Sequence, residues 1–483
     1  MNFCTATYFV FLAVVFSAYW ALRDRRAQNW LIVAAGFFFY GWWDWRFCSL
    51  LLLSPLIDWI NGRLIGESKS PLVRRLALLA SIGYGIGLLS FFKYFGFFNQ
   101  AVVDALAAVG VTARPIHLDV ILPLGISFYL FQSLGYVIDV YRGSIPACRS
   151  FRDYLAFVVF FPQMVAGPIE RAGHLLGEIQ RDRRFDAAAA ADGCRQILWG
   201  MCKKMVVADN LAALVEPAYA NPTAFGGARL ALATVFFAFQ IYCDFSGYSD
   251  IAVGTGRLFG IDLMRNFNHP YFASDPADFW RRWHISLSQW FRDYLFIPLG
   301  GSRGSRGETA RNVLVTFVIS GLWHGAGYNY LIWGLLNGLL VMPFILWPRK
   351  RSDGGSGGQA GWSLAVRGLA GTAATFAAIC VTWVFFRART PADAWSILTR
   401  IITDPGLGTQ SLFTGNGRFG EKIMLLLVLA LVGIEWCTRH RDHPLGVLVA
   451  VPRPVRWLAY TAILWAIIYS IPSATTPFIY FQF

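Results

Sequence analysis

The chain has 483 residues, of which 56% are hydrophobic and only 14% charged, well below the roughly 25% charge of soluble domains. Two or three soluble domains, the expectation from length alone, are excluded because many apolar runs approach the 20 or so residues needed to cross a bilayer. The net charge of +14 fits basic loops flanking membrane segments; no zinc-finger or RNA-binding signature argues for nucleic acid. The eight cysteines form no CxxC pair, so metal-ligand spacing is absent.

In chain order, Met1 to Trp20 is apolar and lacks a basic start, while Arg23, Arg25 and Arg26 follow it. That order predicts a first membrane helix with its N-terminus outside. Residues 28–61 predict a hairpin of two spans turning near Trp42-Trp43-Asp44-Trp45. Residues 76–98 cross outward, and 120–141 return to a basic stretch with Arg142, Arg149 and Arg152. The short apolar run 153–169 has charge on both flanks and ends in Gly167-Pro168, the mark of a re-entrant element or a tight hairpin. The Ala-rich run at 186–191 starts a helix that continues through Lys203-Lys204. Asp244 interrupts the apolar run 229–243. Residues 349–361 read as a flexible cytoplasmic loop and 387–420 as an external loop rich in Gly and Thr. With spans at 365–386, 421–437 and 457–475, the reading gives an all-α integral membrane protein of about ten or eleven membrane elements, one membrane domain over 1–483, with both termini outside. No internal repeat is visible, which weighs against an inverted-repeat transporter.

Asn312 to Pro348 contains no Asp, Glu, Lys or Arg in 37 residues. A straight helix of that length would be about 55 Å long, beyond the bilayer core, so a break is predicted at Gly325-Ala326-Gly327, with His324 beside it and Trp323 before it. Such a ring at membrane depth needs partners or a wet cavity. Its unperturbed pKa near 6.5 suits a general base; the alternative is a histidine that glues helices together. In Ser274 to Gly301, Asp275-Pro276-Ala277-Asp278 reads as an N-cap, a Pro at the first position and an acid at the third. A helix then carries Phe279, Trp283, Leu287, Trp290 and Tyr294 along one side, with Arg281, Arg282, Ser288, Gln289, Arg292 and His284 on it as well. It serves as an interfacial anchor or as an Arg cluster for donor phosphates. Asp244 and Asp250 are intramembrane acids of functional weight, or they cap helices at a break near Gly247. The runs 161–170, with Gln163, and 127–132 either line a tunnel or bond between helices.

These stretches carry a resemblance. Phe-Phe-Pro-Gln-Met-Val-Ala-Gly-Pro-Ile (160–169), Asp-Phe-Ser-Gly-Tyr-Ser-Asp-Ile-Ala (244–252), Phe-Trp-Arg-Arg-Trp-His-Ile-Ser-Leu-Ser-Gln-Trp (279–290), Tyr-Leu-Phe-Ile-Pro-Leu-Gly-Gly (294–301) and Gly-Leu-Trp-His-Gly-Ala (321–326) occur in the order seen in the membrane-bound O-acyltransferase family. The chain resembles in particular the branch with the alginate O-acetyltransferase membrane subunit, to which 38–43 and the closing Phe-Ile-Tyr-Phe-Gln-Phe also fit. The resemblance implies a ring of membrane helices with re-entrant helices around a central tunnel. His324 would be the catalytic histidine and His284 the second important position. Trp323, Arg281, Arg282, Trp283, Asp244, Gln163 and Ser286 are candidates for donor binding or tunnel lining. It implies no permanently bound cofactor and no metal, acetyl-CoA as a cytoplasmic substrate, and a bacterial inner-membrane location. It also implies a periplasmic serine-hydrolase-like acetyltransferase as partner, alongside polysaccharide synthesis machinery, with no role for nucleic acid. A glycan or lipid transporter and a structural recruiter of a secreted acetyltransferase are the competing readings.

Overall fold

The computed structural model describes residues 1–471 except 117, 119, 165–166, 348–359, 405 and 407–418, and the side chains of 360–367 are also outside the description. The flexible loop expected at 349–359, the part of the external loop at 407–418 and the closing motif at 478–483 therefore lie outside the described residues. All regular elements among the described residues are helical. Five helical stretches among them are long and apolar enough to cross a membrane: Arg25–Glu67, Pro71–Ala108, Gly227–Leu258, Tyr328–Leu346 and Gly368–Arg387. By its contacts the chain divides into two units, Met1–Ile197 with Ile251–Met264, and Leu198–Asp250 with Arg265–Phe483.

The first unit contains α1 (Ala6–Ala21), α2 (Arg25–Asp44), α3 (Cys48–Glu67), α4 (Pro71–Leu89), α5 (Phe95–Ala108), α6 (Ile126–Arg142), α7 (Phe151–Val158), α8 (Phe161–Met164) and α9 (Gly177–Gln180), with most of α10 (Ala187–Met201). The predicted turn after Trp43 is present: Asp44 is extended, at φ −158° and ψ 109°, and its carboxylate accepts from Arg46 N. The run 153–169 folds as the short pair α7 and α8. Where hydrocarbon offers no hydrogen bonds, helices here join through polar side chains. Asn29 of α2 donates to Asp153 of α7 at 2.9 Å, and Asn61 of α3 to Ser81 of α4 at 2.9 Å. Gln163 donates to Gln132 Oε1 at 3.1 Å and to the Phe157 carbonyl at 2.9 Å, so it acts here as interhelical glue.

The second unit continues with a π-type segment at Cys202–Ala208, α11 (Asp209–Ala220) and α12 (Gly227–Leu258), whose last turns from Ile251 belong to the first unit. It then has α13 (Pro276–Arg282), α14 (Ile285–Phe291), α15 (Arg306–His324), α16 (Tyr328–Leu346), α17 (Ala360–Arg387), α18 (Pro391–Thr403), α19 (Gly420–Thr438) and α20 (Arg453–Ser470). Three expectations need correction. Asp244 does not interrupt its helix: α12 runs unbroken through Asp244, Gly247 and Asp250. The helix expected over 274–301 is two helices, parted at Trp283-His284. The stretch 387–420 holds α18, started by a capping box between Thr390 and Asp393 with Pro391 at its first position.

The break at 325–327 is where the charge-free run required it. α15 ends at His324, the chain passes extended through Gly325 and Gly327, and α16 begins at Tyr328. The two helices fold tightly on one another because glycines face backbone: a Cβ on Gly321 would collide with the Tyr330 carbonyl, and one on Gly334 with the Phe317 carbonyl.

Candidate active site

His324 closes α15 and is buried, 3% exposed. Aromatic rings from α16 and α17 fix its plane. Trp333 lies edge-on at 4.9 Å between centroids and Phe386 at 5.5 Å, and Trp383 stacks behind Trp333 at 5.9 Å. The Trp333 and Trp383 indole N–H groups are buried and find no acceptor among the described residues. A buried indole usually has a hydrogen-bond partner, so this box offers donors to whatever enters it.

His284 is fully buried and its ring centroid lies 6.5 Å from that of His324. The two rings belong to one buried cluster, with Trp323 against both. The backbone of His284 is left-handed, at φ 41° and ψ 56°, which for a residue with a side chain costs of order 1–3 kcal/mol and persists only where the surroundings impose it. The imposing residues come from the preceding loop. Ile285 N donates to the Asn266 carbonyl at 2.9 Å, Asn268 N to the Arg282 carbonyl at 2.9 Å, and Ser286 Oγ to Asn266 Oδ1 at 2.7 Å. Ser286 thus ties down the turn that presents His284. Trp323 packs on His284 at 6.0 Å, and Trp283 on Trp383 at 5.0 Å.

On its other side His284 meets Phe245 of α12, edge-on at 4.6 Å. The residues on both sides of Phe245 are held by two buried lysines. Lys204 Nζ lies 2.7 Å from Asp244 and 2.7 Å from Asp209. Lys203 Nζ lies 2.7 Å from Asp250 and donates to Ser246 Oγ at 2.8 Å. Asp244 is therefore an ion-pair partner inside a helix, which is why it neither breaks nor caps one. Sequence reasoning missed both lysines; they are the only charges between Ile197 and Ala208, and that isolation was the available signal. The π-type turn that carries them, Cys202–Ala208, is a feature frequent at functional sites.

A cavity of about 510 Å³ opens between α13–α14 and α15–α16. Its lining includes Trp280, Ile285, Ser320, Arg281, Ser288 and Arg292. Ser320 stands one turn before His324 and Ile285 follows His284, but neither histidine is in the lining. Trp280 also packs on Trp333 at 5.6 Å. Arg281 is two-thirds exposed and 3.6 Å from Asp278, whereas Arg282 is held by Asp278 at 2.8 Å and lies off the lining. The size is within the usual range for small-molecule sites, with apolar walls and cations at the lining.

The sequence is similar to those of several known proteins. A family model described as MBOAT, membrane-bound O-acyltransferase family, matches residues 147–352, a segment that contains both histidines. The chain is 35% identical over 447 residues to a probable alginate O-acetylase AlgI of Pseudomonas aeruginosa, covering 88% of this chain and 80% of that protein. It is 30% identical over 481 residues to a peptidoglycan O-acetyltransferase of Helicobacter pylori, covering 90% and 88%. Over 243 residues it is 29% identical to a teichoic acid D-alanyltransferase of Streptococcus thermophilus, covering 47% and 58%.

Proposed function

Because the chain belongs to the membrane-bound O-acyltransferase family, and is thus a multi-pass membrane O-acyltransferase, we propose that it passes an acetyl group from cytoplasmic acetyl-CoA across the inner membrane for O-acetylation of an extracytoplasmic polysaccharide. The relatives named for alginate and peptidoglycan acetylation support an acetyl group and a glycan end point. The first acceptor in this reading is a hydroxyl of a periplasmic serine-hydrolase-like acetyltransferase, which then modifies the polymer.

The observation that carries the mechanism is the histidine pair at the broken helix, 6.5 Å apart, on the helices that also wall the 510 Å³ cavity. The thioester enters along the cavity, with its phosphates toward Arg281 and Arg292. His324 takes the proton of the acceptor hydroxyl as the oxygen attacks the thioester carbonyl. A C–O bond forms, the C–S bond breaks, and the proton passes from His324 to the departing thiolate. Positioned base catalysis of this kind is worth about 10²–10⁴-fold. His284, set opposite by its strained turn, orients the carbonyl or the hydroxyl, and the indole N–H groups of the box are placed to hold developing negative charge.

The test is acetyl transfer from labelled acetyl-CoA by the purified protein in bilayer discs, read by mass spectrometry on acceptor and on free CoA. Transfer by the native chain and its loss in a folded His324→Ala variant are expected. Near-normal transfer by that variant overturns the mechanism, and flux of a glycan without acetyl turnover would replace it with transport.

A further inference from the structure

Glu435 is the one charged residue of α19 between Lys422 and Arg439, and it is buried, 5% exposed. A carboxylate set among apolar side chains is costly unless it is partnered. Both of its partners belong to the second unit. Its Oε1 accepts from the Tyr242 hydroxyl of α12 at 2.8 Å. Its Oε2 lies 3.4 Å from His269 Nδ1. The next residue, Trp436, packs edge-on against Phe272 at 5.2 Å, so α19 holds the 269–272 segment at two points.

The loop that carries His269 is the one that shapes the His284 turn. Asn268 N donates to the Arg282 carbonyl and Ile285 N to the Asn266 carbonyl, both at 2.9 Å. Residues 266–268 and 282–285 thus run side by side, tied at two rungs, and His269 directly follows one of them. Its backbone is left-handed, at φ 48° and ψ 60°. Among the described residues, His269 and His284 are the only non-glycine residues at positive φ. Such a conformation persists only where neighbours impose it. At His284 the imposing neighbour is Asn266; at His269 the polar neighbour is Glu435.

The Tyr242 partner leads to the same turn. Its ring packs on Phe267 at 5.8 Å, on Tyr271 at 5.5 Å and on Trp283 at 6.3 Å. Trp283 is the residue before His284 and is 1% exposed. Glu435, His269 and Tyr242 are all absent from the lining of the 510 Å³ cavity. An effect of Glu435 on turnover therefore has to pass through the loop and the rings packed on it.

We propose that Glu435 is a positioning residue for acyl transfer: its carboxylate clamps His269 with one oxygen and Tyr242 with the other, and through residues 266–268 and Trp283 it sets the turn that presents His284. This role rests on the orienting part that acyl transfer gives to His284.

The test is turnover of labelled acetyl-CoA by the purified full chain in bilayer discs, read as release of free CoA, for Glu435→Gln in the native and in the His284→Gly background. Glutamine keeps an acceptor for Tyr242 and removes only the charge facing His269. In the native background kcat is expected to fall about tenfold, as for a misplaced reacting group, with KM for acetyl-CoA changed less than about twofold. In the His284→Gly background, which keeps the left-handed turn, the same substitution is expected to cost less than about twofold, because residues that act through one another are not additive. His269→Asn, a type that tolerates the same backbone, is expected to match Glu435→Gln, and the double variant to be no slower than either. Should Glu435→Gln fail to fold, Tyr242→Phe, which keeps its ring and drops the hydrogen bond, takes its place in the cycle. A native kcat in the Glu435→Gln chain, a rise in KM alone, or an equal fall in both backgrounds overturns the positioning role. A His284→Gly chain as fast as the native one overturns instead the part given to His284 itself.

Discussion

Two places in the second unit hold polar side chains among apolar helices, and they do so by opposite means. Around Lys203 and Lys204 every charge has an opposite partner: two ammonium groups meet three carboxylates, of Asp209, Asp244 and Asp250, at 2.7 Å, Lys204 serving two of them. Around His324 the neighbours are rings, Trp333 and Phe386 edge-on at 4.9 and 5.5 Å, within a stretch of 37 residues that has no charged side chain. Matched charges at this depth lock a structure, because removing one leaves another buried and unpaired. Rings fix the plane of an imidazole by packing instead of by charge. Phe245 joins the two regions, with Asp244 and Ser246 beside it in the locked cluster and its own ring on His284.

The comparison can be broken most severely at His324. His324→Ala should lower acetyl transfer by about 10²–10⁴-fold while leaving the melting temperature near that of the native protein, checked by turnover and thermal unfolding on the same preparation. The locked cluster should behave in reverse. Lys204→Met leaves Asp209 and Asp244 without their shared cation, and a loss of about 3–5 kcal/mol is expected, seen as poor yield and a lowered melting point. Adding Asp244→Asn and Asp209→Asn to that variant should recover much of the stability; no recovery would mean that the lysine acts otherwise than by charge. His284→Gly separates strain from chemistry. Glycine adopts the left-handed backbone freely, and relief of about 1 kcal/mol offsets part of the lost packing, so stability should change little while turnover falls by about tenfold or more. The smallest effect is expected at the cavity lining: Arg281→Gln, at an exposed position already shared with Asp278, should raise KM for acetyl-CoA several-fold with kcat nearly unchanged, an effect that fades at high salt.

The contrast also explains which features were legible in the sequence. The break at 325–327 was legible because length and glycine content forced it within a single stretch. The unbroken course of α12 was not, since the cations that neutralise Asp244 and Asp250 sit some forty residues earlier and are brought there by tertiary packing. The break at His284 was hidden for the same reason: Asn266, from a loop about twenty residues before it, bonds the Ile285 N–H and the Ser286 hydroxyl, whereas the local pattern favours one continuous helix. α18 was within reach, because Thr390, Pro391 and Asp393 spell a helix start, but the Gly/Thr-rich flank outweighed it. The membrane class and the two histidines needed only composition and motif; the aromatic box of Trp333, Trp383 and Phe386 needed the fold.

The glycine-to-backbone contact between α15 and α16 has a consequence for biosynthesis. α15 starts with Arg306, Glu308 and Arg311 and ends in a histidine, and it is absent from the five stretches apolar enough to enter a bilayer by themselves, whereas α16 is among them. The imidazole thus ends a helix not apolar enough to cross alone, packed against one that is. A ribosome halted before residue 346 would leave His324 without the complete helix whose Trp333 ring packs on it.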